Sequence, residues 1–109
     1  MSYELHQKHY KAATAIADAA DTGDEAIVAA QAGLRLLGWS VRETAAAVAT
    51  LDIENGESAG SPDLAVINLA ASESKDRWYG ERGIAADGGI FVNRLTGTTL
   101  VIIYYVVET

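Results

Sequence analysis

The sequence predicts an all-β chain, a single antiparallel β-sandwich or jelly-roll-like barrel with an extended N-terminal arm. Three observations lead there. Apolar residues alternate with polar ones at period two in the middle of the chain, short runs rich in Val, Ile and Leu follow, and clusters of Gly, Asn, Asp and Ser separate those runs. With 109 residues there is room for one domain. We divide it into an N-terminal arm with a first short strand, residues 1–24, and a sandwich domain, residues 25–109.

The alanine-rich stretches 12–20 and 45–49 have high helix propensity but no apolar stripe at three- and four-residue spacing. Asp18, Asp21, Thr22, Gly23 and Asp24 interrupt the first, and the second runs directly into VATLDIEN. From Gly23 onward, strands are expected. EAIVAA forms a short apolar run before the turn at Ala32 and Gly33. In LRLLGWSVRE, Leu37, Trp39 and Val41 alternate with Gly38, Ser40 and Arg42; in LDIEN, Leu51 and Ile53 alternate with Asp52 and Glu54, placing those carboxylates on one solvated face. Further strands are expected at 64–70, 89–95 and 99–107, with turns at NGESAGSPD, ERG, DGG and Thr96-Gly97.

Residues 101–107 are apolar at consecutive positions, so both faces of that strand need cover. We expect its own core on one face and another subunit on the other, with Val101, Ile103, Tyr105 and Val107 at the subunit contact. Otherwise Tyr104 and Tyr105 place one ring in the core and one at the surface.

Composition narrows the function. The formal net charge of −7 and pI near 4.6 repel phosphate backbones and anionic headgroups, and the basic residues never cluster. Nucleic acid and membrane are therefore not expected as partners. The chain has no cysteine, hence neither a disulfide framework nor a thiolate metal site. The polar start MSYELHQKHYK lacks the apolar stretch of a signal peptide, and no apolar run approaches the ~18 residues of a membrane span. A soluble protein made in a cytoplasm is expected.

Residues 56–60 spell GESAG, the G-x-S-x-G spacing that exposes a nucleophilic serine on a strand–turn–helix elbow. Ser58 is followed by SPD and another strand-like run, and the only histidines, His6 and His9, lie far upstream, against the serine–acid–histidine order of that fold. We read a polar loop between two strands, with Asn55-Gly56 suited to positive φ, and expect no enzyme. His6 and His9 lack a further zinc ligand, and the acidic DAADTGDE departs from calcium-loop spacing, so no metal or cofactor is expected. Trp78 and Tyr79 either plug one end of the barrel or, with Asn55 and Glu57, form an exposed loop surface able to stack a sugar.

Taken in order, IVAAQAG, LRLLGWSV, VATLDIENGESAG, RWYGERGI, DGGIFV and TGTTLVIIYYVV resemble the small all-β virion proteins of tailed bacteriophages, of the capsid decoration and head-fibre type. Gly33, Gly83, Gly89 and Gly97 stand where those proteins turn. The resemblance implies a non-enzymatic protein on the outer head surface of a virion, made in the host bacterial cytoplasm. Its partner would be the major capsid protein, and a homotrimer is implied. The N-terminal segment departs most from the pattern; we expect an arm, with Tyr3, Leu5 and Tyr10 at the capsid contact. The alternative is a receptor- or glycan-binding knob on a head fibre or tail.

Overall fold

The computed structural model describes residues 10–15 and 23–108, the first of these segments by its backbone. Nine antiparallel strands form two sheets, and no α-helix occurs among the described residues. The strands are β1 (Tyr10–Ala15), β2 (Glu25–Val28), β3 (Leu34–Glu43), β4 (Ala49–Asn55), β5 (Asp63–Leu69), β6 (Ser74–Trp78), β7 (Ile84–Ala85), β8 (Ile90–Thr96) and β9 (Thr99–Val107). Sheet A runs β1-β9-β3-β6, with β7 pairing β3 beyond β6; sheet B runs β2-β8-β4-β5. With β7 set aside as a continuation of the β6 edge, this interleaved order is that of an eight-stranded jelly roll. Of the two expected architectures, the chain adopts the jelly-roll sandwich.

Period-two patterning explains which side chains close the core. Leu34, Leu36, Trp39 and Val41 from β3 and Val101 and Ile103 from β9 meet Ala49, Leu51 and Ile53 from β4, Ile67 and Leu69 from β5, and Ile90 and Val92 from β8. Enclosing each large aliphatic side chain contributes about 1.5–3 kcal/mol, so this inter-sheet layer is the main source of stability in a chain without disulfides.

In β3 the alternation slips once. Leu36 pairs Tyr105 and Gly38 pairs Tyr104, which leaves Leu37 as an extra residue. This bulge is why Leu36 and Trp39, three apart, both face inward. Leu37, which the simple alternation aligned with Trp39 and Val41, is buried outside the main core cluster, against the loop that carries Gly83. Gly83 has φ +61, and a Cβ there would strike the Leu36 carbonyl, so only glycine lets this loop lie on β3. The Arg35 guanidinium fastens the same loop by donating to the carbonyls of Arg82 and Gly83.

Two buried charges close one end of the sandwich. Arg94 donates from Nε to Thr99 Oγ1 (3.0 Å) and from Nη1 to the Gly23 carbonyl (2.7 Å) and Glu25 Oε1 (2.9 Å). It thereby joins β8, the start of β9 and the approach to β2. The Glu43 carboxylate accepts from the backbone N–H groups of Ala45 (2.6 Å) and Ser72 (2.7 Å), pinning two turns whose Ala46 and Ser72 sit at positive φ. Those hydrogen bonds, Ser72's first, hold its pKa below the ordinary carboxylate value.

Tyr10 lies in β1, paired with Val106 along the edge of sheet A, so residues 10–15 are a short strand within the N-terminal segment and belong to the chain's own fold. Tyr3 and Leu5 lie outside the described residues. Other expectations are corrected here. Positive φ in the loop after β4 falls on Gly60 rather than on Asn55-Gly56. Glu54 is not on a solvated face: it is 2 % exposed. Gly33, Gly83, Gly89 and Gly97 all turn at positive φ.

Candidate functional site

At the end of the sandwich opposite Glu43 and Arg94, the loop between β4 and β5 is tied down rather than free. Asn55 Oδ1 accepts from the Gly88 N–H (2.8 Å), and Glu57 Oε2 from the Ala30 N–H (2.7 Å). Glu54 accepts from the Gly60 N–H and from Asn93 Nδ2, both at 3.1 Å. Asn55 and Glu57, expected as an exposed recognition loop, thus act as clamps between loops, although Glu57 remains surface-exposed. Ser58 is exposed in a loop that runs from strand to strand, with no helix after it, so the elbow geometry is absent at this motif. Its carbonyl accepts from Ser61 Oγ (2.8 Å), closing a short turn.

Carboxylate oxygens of Asp52, Glu54 and Asp63 gather within 4.8 Å of one another on the outer side of sheet B. Both Glu54 oxygens are already bonded by protein groups. Burial, reinforced by the neighbouring Asp63 and Glu54 charges, raises the Asp52 pKa above its ordinary value.

Strand β9 presents the opposite face from the one expected at a subunit contact. Val101 and Ile103 are fully buried between the sheets, and Tyr105 and Val107 pack against the same core. Val101 and Ile103 cannot meet a partner without opening the sandwich, and Tyr105 and Val107 are half-buried on the same core. The outward positions are Leu100, Ile102 and Tyr104, all half-buried. The expected division of the tyrosines holds, with Tyr105 toward the core and Tyr104 on the outer face.

Register assembles the outer face of sheet A rung by rung. Trp78, Gly38 and Tyr104 lie side by side on β6, β3 and β9; the next rung is Asp76, Ser40 and Ile102; the third is Ser74, Arg42 and Leu100. Trp78 is 58 % exposed, whereas Trp39, on the inner face, is 7 % exposed and donates from Nε1 to the Tyr79 hydroxyl (3.0 Å). Trp78 and Tyr79, adjacent in sequence, therefore separate: Tyr79 plugs the sandwich and Trp78 stands outside. A Cβ on Gly38 would meet the Arg77 carbonyl and, at 3.1 Å, Trp78 Cε3, so the indole leans over a position that only glycine leaves open. Two shallow depressions of about 270 and 230 Å³ adjoin along this face and share Ser40 and Asp76.

Sheet B differs. Its outer side mixes polar residues with the exposed aliphatics Val66 on β5, Leu95 on β8 and Val48 just before β4. Leu95 is the extra residue of a second bulge, between the pairs Leu51–Arg94 and Thr50–Thr96. The sequence reading missed Ser40, Asp76 and Tyr104 as companions of Trp78 because SKDRW carries no apolar alternation to mark β6 as a strand.

No protein-family model matches the chain, and no curated protein sequence matches it. Among solved structures, the coat protein of Tobacco streak virus aligns with a TM-score of 0.48 at 11 % identity, covering 91 % of this chain and 83 % of that one.

Proposed function

We propose that the chain is a structural virion protein that decorates and stabilises the head of a tailed bacteriophage by binding the outer surface of its major capsid protein lattice. It acts as a homo-oligomer, with a trimer favoured, and performs no catalysis. The reading starts from the strand-and-turn pattern of the sequence, and the jelly-roll order is compatible with it, since that architecture serves capsid and lectin domains alike.

One observation carries it. Val48, Val66 and Leu95, exposed at 68, 64 and 56 %, all belong to the outer side of sheet B or its margin, outside an inter-sheet core that is already complete. Strand β5, at the edge of that sheet, bears no charge from Leu64 to Leu69, while β6, the edge of sheet A, carries Lys75, Asp76 and Arg77 in succession. Charged edges resist pairing and uncharged ones invite it. Sheet B is the side on which this chain meets protein. Each contact is small, and a symmetric oligomer that engages several lattice sites at once multiplies it through avidity.

The test is co-sedimentation of the purified chain with heads of its source phage, titrated to saturation. Saturable attachment at a copy number matching the shell's symmetry is expected, with loss of attachment in Val66→Lys and Leu95→Lys. A folded chain that never sediments with heads refutes the shell reading.

A further inference from the structure

We propose that the outer face of sheet A is a saccharide-binding groove in which Trp78 is the stacking platform and Ser40, Arg42 and Asp76 bond the sugar hydroxyls. The groove lies on the opposite sheet from Val48, Val66 and Leu95, and it stands whether or not the chain binds a shell.

Four features converge on that ligand class. The first is the indole itself: exposing more than half of a tryptophan leaves a large apolar surface in water, and Trp78 is the one exposed aromatic among the large exposed hydrophobics of the described residues. A pyranose ring offers a patch of C–H groups on one face, which an aromatic ring covers, while its hydroxyls project around the rim. Second, the groove has a low floor. Gly38 lies between Trp78 and Tyr104, and Ser40 on the next rung lies between Asp76 and Ile102; β6 and β9 are two strands apart, a separation of about 9.5 Å between backbones. That leaves a low strip along β3, flanked by Trp78 and Tyr104 at its Gly38 end and by Asp76 and Ile102 at Ser40.

Third, the polar groups along the strip are uncommitted. Ser40, Arg42 and Asp76 enter no side-chain hydrogen bond or ion pair among the described residues. The buried charges, Glu43, Glu54 and Arg94, are by contrast all engaged within the fold. A hydroxyl, a guanidinium donor and a carboxylate acceptor match a polyol, whose every hydroxyl both donates and accepts. Fourth, of the charged residues lining the two depressions, Lys75 donates to the Asn68 carbonyl and Arg77 lies over the Tyr79 ring, which leaves Arg42 and Asp76, of opposite sign, to face a ligand, so the groove favours an uncharged oligosaccharide. Pockets that hold small molecules combine aromatic surface with a few placed polar groups in this way.

The experiment is calorimetric titration of the full chain with soluble oligomers of glucose, mannose, galactose and N-acetylglucosamine, run beside acrylamide quenching of tryptophan fluorescence. Saturable binding of at least one oligomer is expected, with a Kd between about 10 µM and 1 mM, together with protection of Trp78 from quencher. Trp78→Ala and Asp76→Asn should each weaken binding about tenfold or more, Trp78→Tyr less, and Val66→Lys not at all. Asp76 is exposed, so its variant keeps the test valid where Trp78→Ala fails to fold. Binding by none of the four oligomers, or equal binding by Asp76→Asn, overturns the proposal. So does a concentration-dependent mass that collapses to the monomer in Trp78→Ala, which would assign this face to a second copy of the chain. A failed head titration leaves the groove untouched, and a failed sugar titration leaves shell attachment untouched.

Discussion

Glu43 and Asp52 respond to acid in opposite senses, and the reason is local. Glu43 is a carboxylate held by backbone N–H groups, so its pKa is lowered in the folded chain. Its contribution is fully present above the ordinary carboxylate pKa and is lost as pH falls through the folded value. Asp52 loses solvent and faces Asp63 and Glu54, so its pKa is raised; its ionised form costs stability above the folded value, and the penalty vanishes as pH falls below the ordinary one. Glu43→Gln should therefore lower the urea midpoint at neutral pH and differ little from the parent in strong acid. Asp52→Asn should raise the midpoint at neutral pH, with the gain fading as pH falls. Midpoint differences that stay constant with pH would contradict both assignments. Arg94 is a larger matter, since its side chain is 1 % exposed and its guanidinium serves both sheets. Arg94→Leu removes the hydrogen bonds to the Thr99 hydroxyl, the Gly23 carbonyl and Glu25 and should cost about 3 kcal/mol in chemical denaturation. Glu25→Gln should cost less, because that side chain is 23 % exposed. None of these roles was legible in the sequence: a lone arginine in a strand pattern reads as a solvated residue, and only the closing of the sandwich end makes it a buried one.

Strands were legible where alternation or an apolar run marked them, and illegible where the edge of a sheet freed the residues from that constraint. Strand β9 was readable over its full span because every position from Leu100 to Val107 is apolar or aromatic, yet its facing was assigned the wrong way round. A consecutive apolar run contains no internal sign of which half is inside; that is fixed by the pairing of Val41 with Val101 and Trp39 with Ile103. Strand β6 has all five residues exposed, so burial never shaped its composition. The first strand has the most direct consequence. β1 covers the free edge of β9 along six paired positions. Deleting residues 1–9 leaves every pairing among the described residues of sheet A in place, whereas deleting residues 1–15 bares an apolar edge strand. The shorter deletion should keep the melting temperature within a few degrees of the parent. The longer one should melt lower and aggregate, read by light scattering; equal behaviour of the two would remove β1 from the stable fold.

Across the whole molecule, the pairing order separates what one sequence can disclose from what it cannot. Only β4 and β5 are neighbours both in sequence and in a sheet; every other pairing joins strands that are not consecutive, from β3 with β6 out to β1 with β9. The turn chemistry around Asn55 and Gly60 announces that one hairpin, while nothing local announces that β9 will sit between β1 and β3. The same topology sets the folding kinetics. Closing loops of such length is entropically costly before any contact compensates, so refolding should fall in the millisecond-to-second range typical of β-sandwiches. Trp39 reports it well, because it is buried in the inter-sheet core and its strand pairs at Ile103 with β9, the last of the described strands to be synthesised. In the Trp78→Phe background, leaving Trp39 as the sole indole, stopped-flow refolding should show burial of that ring in this slow phase. A chain ending at Thr98, which lacks β9, should show no burial at all, since β1 then loses its described partner and β3 keeps only β6 and β7 on its other side. Burial of Trp39 within microseconds, or in the shortened chain, would mean that β3 finds its environment without β9 and that sheet A is not the unit that folds.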